Sequence, residues 1–196
     1  MSDQNISVYA EATPNPEVIK FMVNKDLSGE QALEFESPED TEGAPLPAKL
    51  FQNDFVHSVF IMNNFVSVTK TKDREWVELI PVVRDMIKDH IQNGEVVVTD
   101  EVIKQAAEEP AANEVQGDEE EDVQKIKKIL NDQVKPAVEM DGGAIDFKSY
   151  EDGVVKVELR GACSGCPSSM VTLKAGIEGL LKKMVPSVKE VQAEEA

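Results

Sequence analysis

The chain has 196 residues, 41% of them hydrophobic, and its formal net charge at neutral pH is -18. This length allows one large domain or two small ones, each with a core that needs no disulfide. The excess of acid argues against nucleic-acid binding, which needs clustered Lys and Arg. No run approaches the roughly 18 apolar residues of a membrane span, and the opening residues lack a signal or transit pattern. We therefore expect a cytoplasmic protein with neither a nucleic-acid nor a membrane partner.

The acidic charge is concentrated in the middle of the chain. Residues 1–99 carry 17 acids and 8 bases, residues 100–122 carry 10 acids and 1 base, and residues 123–196 carry 11 of each. The middle stretch has little apolar surface to bury, so we predict an acidic flexible linker with at most a frayed helical turn over 100–109. The predicted organisation is a first domain at 1–99, a linker at 100–122 and a second domain at 123–196.

The first domain is predicted to be a small α+β sandwich. Val18–Val23 is typical of a strand, and the β-branched runs 56–62 and 65–71 flank Asn63-Asn64, the composition of a two-residue hairpin turn. Apolar residues at helical spacing then predict a helix over 75–93. This domain holds no cysteine and no phosphate-binding glycine loop.

The second domain is predicted to have the order α, β, β, α. An amphipathic helix runs from Val123 to near Pro136, and glycine-containing turns then delimit a hairpin. The remaining predicted elements are a turn at 141–143, strands at 145–149 and 155–159, a helix from 167 to 186 and a short final strand at 188–191.

The only two cysteines, Cys163 and Cys166, lie between the second hairpin strand and the last helix. Thiols ahead of a helix N-terminus are expected to ionise more readily than a free cysteine, because the positive end of the helix dipole stabilises the thiolate. Gly161 and Gly165 allow the backbone to approach a bulky inorganic ligand. Such a thiolate pair suits a soft metal or an iron-sulfur cluster.

Two thiolates cannot complete a four-coordinate metal site, so several interpretations stay open. The pair could borrow ligands, act as a dithiol-disulfide oxidoreductase, or pack as incidental cysteines in an interaction protein. A thioredoxin-type fold has little room in this short domain. A zinc site within one chain would need two more ligands, and the only histidines, His57 and His90, lie in the other domain.

Two sets of segments resemble one known family in the expected order. VKPAVEMDGGAIDF, GVVKVELRGACSGCPSS and TLKAGIEGLLKKMVP resemble the NifU C-terminal (Nfu-type) iron-sulfur cluster domain over residues 123–192. TPNPEVIKF, PAKLFQ, FVHSVFIMNNFVSVTK and the Trp76 helix resemble the Nfu N-terminal domain over residues 7–97. Met170 and Lys135 depart from the usual family residues, and neither change touches a thiol.

The resemblance implies a carrier of iron-sulfur clusters and not an enzyme. Cys163 and Cys166 of two subunits would hold one cluster between them, a [4Fe-4S] cluster with [2Fe-2S] as the alternative, in a homodimer that forms when the cluster is bound. An upstream cluster scaffold would load this carrier, and apo iron-sulfur client proteins would receive the cluster. The first domain would then be a recognition or regulatory module.

Three further positions near the cysteines have two interpretations each. Asp141-Gly142-Gly143 is a tight turn by composition, with shielding or tuning of the cluster as the alternative. Arg160 and Lys174 would either offset the negative charge of a bound cluster or serve as ordinary surface cations.

Overall fold

The computed structural model describes residues 5–108, 119–164 and 167–195. The chain divides into two compact units near residue 109. Each unit combines one sheet with several helices, which confirms the predicted α+β class. The flexibility and boundaries of the predicted linker stay predictions, and residues 109–118 lie outside the described part.

The first unit contains a five-stranded antiparallel sheet in the order β1-β2-β5-β4-β3. The predicted hairpin forms as expected: Met62 pairs with Phe65, and Asn63 takes a left-handed φ of 51°. The strands are β1 (Val8–Ala12), β2 (Val18–Val23), β3 (Gly29–Phe35), β4 (Val56–Asn63) and β5 (Phe65–Lys70).

Three α-helices of the first unit pack against this sheet or against each other: α1 (Pro45–Leu50), α2 (Trp76–Gln92) and α3 (Asp100–Glu108). A short 3-10 turn at Pro38–Thr41 precedes α1. The predicted long helix is confirmed in α2, which packs on β1 and β2. In residues 100–108, where a frayed helical turn was predicted at most, α3 packs on β3, and its Val102, Ile103 and Ala106 contact the first core.

The second unit begins with α4 (Glu119–Ile129), a π-helical turn (Leu130–Val134) and α5 (Lys135–Met140). Residues 119–122, part of the predicted linker, form the first turn of α4. Acids in the first turn of a helix interact favourably with its dipole. The helix also continues past Pro136, its predicted end. Pro136 lies in the first turn of α5, where its missing N–H is tolerated.

The second sheet has the order β6-β7-β8 and places the cysteine turn. β6 (Gly143–Glu151) and β7 (Val154–Gly161) form the predicted hairpin, with left-handed φ values of 53° and 86° at Asp152 and Gly153. β8 (Glu190–Glu195) pairs parallel to β7, and α6 (Pro167–Met184) connects the two strands. None of the described helices combines the length and the apolar character that crossing a bilayer requires.

Candidate functional site

Cys163 lies in a short turn between the end of β7 and the start of α6, as the sequence pattern predicts. β7 ends at Gly161, whose φ of +67° is left-handed. The Ser164 N–H donates to the Gly161 carbonyl oxygen at 3.1 Å, and the Ser164 hydroxyl donates to the same oxygen at 2.8 Å. These two hydrogen bonds hold the turn that carries Cys163.

Cys166, the second predicted ligand, lies outside the described residues together with Gly165. The structure therefore gives the position of Cys163 only, which is a free and buried cysteine. The role of the two cysteines as ligands stays a prediction.

The turn after α5 packs directly against the Cys163 turn. Gly142, with a left-handed φ of 85°, accepts a hydrogen bond on its carbonyl oxygen from the Ala162 N–H at 3.2 Å. Gly143 pairs with Gly161 across the sheet. A Cβ at position 143 would lie 2.5 Å from the Arg160 carbonyl oxygen and 2.9 Å from Cys163 Sγ. The sulfur therefore lies against the backbone of β6, and only glycine leaves room for it.

The Cys163 thiol is part of the second core, and this corrects the expectation of an easily ionised cysteine. Its side chain is only 5% exposed and packs with the core residues of this unit. Burial, and secondly the negative charge of Asp141, raise the pKa of Cys163 to about 12. The prediction was wrong because it weighed only the dipole at the start of α6. It did not foresee desolvation of the sulfur or a carboxylate beside it.

The cations near the turn are engaged with carboxylates. Arg160 donates to Glu158 Oε2 at 3.1 Å from Nε and 2.7 Å from Nη2, and Lys148 Nζ lies 2.7 Å from Glu158 Oε1. Burial alone would raise the pKa of Glu158, but its bonds with Lys148 and Arg160 outweigh burial and lower it. Lys174 forms a longer ion pair with Glu190 at 3.8 Å.

Comparison with known proteins matches both halves of the chain. The family model of the NifU-like domain matches residues 126–192, and that of the Nfu/NifU scaffold N-terminal domain matches residues 8–94. These are the two domains that the sequence resembles, in the expected order. The chain belongs to the Nfu family.

Relatives of this Nfu chain align along almost all of it. The protein named "NFU1 iron-sulfur cluster scaffold homolog, mitochondrial" from Drosophila virilis is 34% identical over 193 residues, covering 98% of this chain and 63% of that protein. Its counterpart from Drosophila sechellia is 35% identical over 190 residues, covering 96% and 65%. The Nfu chain thus spans less than two thirds of the length of these relatives.

A solved structure also matches part of the chain. The solution structure of a NifU-like protein from Saccharomyces cerevisiae is 20% identical, covers 51% of this chain and 91% of its own, and has a TM-score of 0.45.

The predicted cytoplasmic location is wrong in view of these relatives, which are mitochondrial by name. The prediction relied on the opening residues and on composition. Reduced thiols and an acidic surface do not distinguish the cytosol from an organelle interior. The opening residues give no evidence about location either, because the chain spans only part of the length of its relatives.

The two histidines of the Nfu chain belong to the first unit. His57 is exposed on β4. His90 is only 1% exposed at the end of α2. Its Nε2 lies 2.8 Å from the Val96 carbonyl oxygen and its Nδ1 lies 3.1 Å from Glu95 Oε2. Within the described part of the chain, no three His, Cys, Asp or Glu side chains form a metal-holding group.

Proposed function

We propose that this chain is a carrier that binds an iron-sulfur cluster and transfers it to apo-proteins, without catalysing a reaction of its own. Relatives covering nearly the whole chain are named iron-sulfur cluster scaffold homologs. In this proposal Cys163 and Cys166 are the ligands, and the predicted second domain, 123–196, holds the cluster. The observation that carries the proposal is the position of the Cys163 sulfur.

That position presents the sulfur from the turn between a strand and a helix, where it can serve as a thiolate ligand. The sulfur lies against Gly143, whose lack of a side chain leaves the space that the sulfur occupies. Clusters are held by cysteine thiolates, usually four of them. Each chain contains two cysteines, so two chains supply the four ligands of one shared [4Fe-4S] cluster. A [2Fe-2S] cluster is the alternative cargo, with the same four ligands.

The protonation state of Cys163 argues against this residue as the attacking thiol of a dithiol-disulfide oxidoreductase. A thiol must ionise before it can attack a disulfide, and burial and Asp141 keep the pKa of Cys163 at about 12. A coordinated metal deprotonates a thiol outright. Metal ligation is therefore open to this sulfur at neutral pH, whereas attack as a free thiolate is not favoured.

The partners of the carrier follow from its cargo. An upstream cluster scaffold donates the cluster, and apo iron-sulfur proteins accept it when their thiols replace those of the carrier one by one. The first unit, which has no cysteine, selects or orients these clients.

A shortened chain without the first unit tests this role. Because α3 packs on the first unit, the shortened chain should begin after residue 108. Such a chain should bind the cluster normally but deliver it more slowly to some clients; equal rates to every client would contradict this role.

The decisive experiment is anaerobic reconstitution with iron and sulfide. Iron and sulfide content, the Mössbauer spectrum and the mass are measured on wild type, Cys163→Ala, Cys166→Ala and the control Val171→Ala, an exposed position on α6. One [4Fe-4S] cluster per two chains is expected in the wild type and the control, and neither cysteine variant should hold one. A colourless wild-type monomer with a reversible disulfide would favour the oxidoreductase. Zinc bound by the same thiolates would appear in metal analysis of the protein as isolated.

A further inference from the structure

The turn that faces Cys163 begins with an acid in an unusual place. Asp141 follows the last residue of α5, and its N–H donates to the Ala137 carbonyl oxygen at 3.2 Å. The last turn of α5 contains no basic residue. An acid is disfavoured at a helix C-terminus, because the exposed carbonyls make that end negative. Local rules broken in this way are typical of functional positions.

The backbone fixes this acid close to the candidate site. Gly142, the next residue, is hydrogen-bonded to Ala162 at 3.2 Å, and the space for a Cβ on Gly143 lies 2.9 Å from Cys163 Sγ. Asp141 therefore lies one residue before a backbone hydrogen bond to the Cys163 turn and two residues before the glycine that packs against Cys163 Sγ. Its negative charge is the second cause, after burial, that raises the pKa of Cys163.

We propose that Asp141 makes the bound cluster easier to release, by electrostatic repulsion of the anionic cluster at Cys163. The proposal rests on the proposed carrier function. A cluster bound by four thiolates has a net negative charge, and a fixed carboxylate nearby raises its free energy on the carrier. The acceptor site of a client has no such carboxylate from this chain, so transfer is favoured.

The transfer step balances without any redox change. A client thiol loses its proton to solvent and forms an iron-sulfur bond, while the bond between iron and Cys163 Sγ breaks. Cys163 then takes up a proton from solvent. Asp141 takes no part in these bonds.

The test compares Asp141→Asn with a matched control, Glu151→Gln. Asparagine keeps the shape of Asp141 and removes its charge. Glu151 is exposed and ends β6, at the end opposite to Gly143. It is about 26 Å away along the strand, well beyond the screening length at physiological salt. Both variants change the net charge of the chain equally.

The first measurement is the rate at which the reconstituted full-length protein loses its cluster to excess 2-mercaptoethanol under anaerobic conditions. Asp141→Asn should lose the cluster roughly three- to tenfold more slowly than wild type, and Glu151→Gln should match wild type. An unchanged rate in Asp141→Asn overturns the proposal. A faster rate also overturns it, because it makes Asp141 a ligand or a structural support of the site.

The second measurement uses Cd²⁺ and the apo-protein, so that it does not depend on cluster binding. A bare cation is attracted by the same carboxylate, so Asp141→Asn should bind Cd²⁺ more weakly while Glu151→Gln binds it normally. Unchanged Cd²⁺ affinity in Asp141→Asn overturns the electrostatic contact itself. If the wild type binds Cd²⁺ but takes up no cluster, the carrier function fails and the release role fails with it. Slower cluster loss combined with weaker Cd²⁺ binding supports the proposal, since no single structural defect moves the two in these directions.

Discussion

The two units differ in what they place in their cores. The first core consists of hydrocarbon and aromatic side chains, whereas the second includes the thiol of Cys163. A substitution in the first core therefore changes stability without touching the candidate site. A substitution around Cys163 changes packing and chemistry together, because the sulfur is also a core atom.

The largest expected effect is in the first core. Phe21 is fully buried and lies edge-on to Trp76 with ring centroids 6.3 Å apart. Phe21→Ala should lower the free energy of unfolding of the first unit by about 3–5 kcal/mol, measured by urea unfolding with the fluorescence of Trp76, the only tryptophan. Tyr9→Ala, at an exposed position, should change it by less than about 0.5 kcal/mol.

The same variant tests whether the two cores are separate. In a Cys166→Ser background, alkylation of Cys163 should be as slow in Phe21→Ala as in the parent protein, since the core around Cys163 belongs to the second unit. Faster alkylation would contradict the distinction between the cores.

A smaller loss of stability is expected for a substitution at Gly143, which packs against the Cys163 sulfur. Gly143→Ala places a Cβ 2.5 Å from a backbone oxygen and 2.9 Å from Cys163 Sγ, so the strand must shift. We expect this to destabilise the second unit by about 2–3 kcal/mol, measured by native-state hydrogen exchange of β6 and β7. Gly176→Ala, in a helix with no atom near its Cβ, should stabilise by about 0.5–1 kcal/mol. Equal effects of the two variants would show that the sulfur has room to move.

A pH-dependent effect is expected at Glu158, on β7 near the site. Its pKa is lowered from 4.5 in the folded chain, because its bonds to Lys148 and Arg160 outweigh burial. The stabilisation is thus present above the unfolded pKa and is lost as the pH falls through the folded value. Glu158→Gln should cost about 2 kcal/mol at neutral pH, and this difference from wild type should vanish at low pH in urea titrations. A difference that persists at low pH would mean that shape, and not charge, holds this group.

The smallest effect on stability is expected for a solvent-exposed ion pair in the first unit. Arg74 Nη2 lies 3.2 Å from Asp54 Oδ2, with both side chains well exposed. Asp54→Asn should change the free energy of unfolding by less than about 0.5 kcal/mol at any pH. A loss comparable to that of Glu158→Gln would contradict the view that burial makes the difference between these pairs.

Central elements were predictable from sequence, and edge elements were not. The hairpin at Asn63 and the helix over Trp76–Gln92 have strong apolar periods and clear turn residues. β1 was missed because it is an edge strand whose side chains after Val8 are exposed, so no alternation marks it. α3 was predicted only as a frayed turn, because its acidic composition hid the few residues that pack on the first core.

The candidate site was also predictable only in part. The Cys163 turn and its glycines were predictable, since residue type and spacing are local properties. Asp141 was predicted as part of a turn, with shielding or tuning of the cluster as the alternative. Its effect on the Cys163 pKa was not predicted, because that effect arises between residues 22 positions apart in the sequence. Its position at the end of a helix was the signal that could have identified it.

The sequence by itself determined the α+β class, the hairpins, the family and the place of Cys163 between a strand and a helix, because periodicity, turn chemistry and motif spacing act over a few residues. Only the tertiary structure decided that the sulfur is buried, that Gly143 has no room for a side chain and that the turn beginning with Asp141 packs on the Cys163 turn. Desolvation and electrostatic contact depend on which distant segments pack together, and here β6 and the turn before it pack on the end of β7.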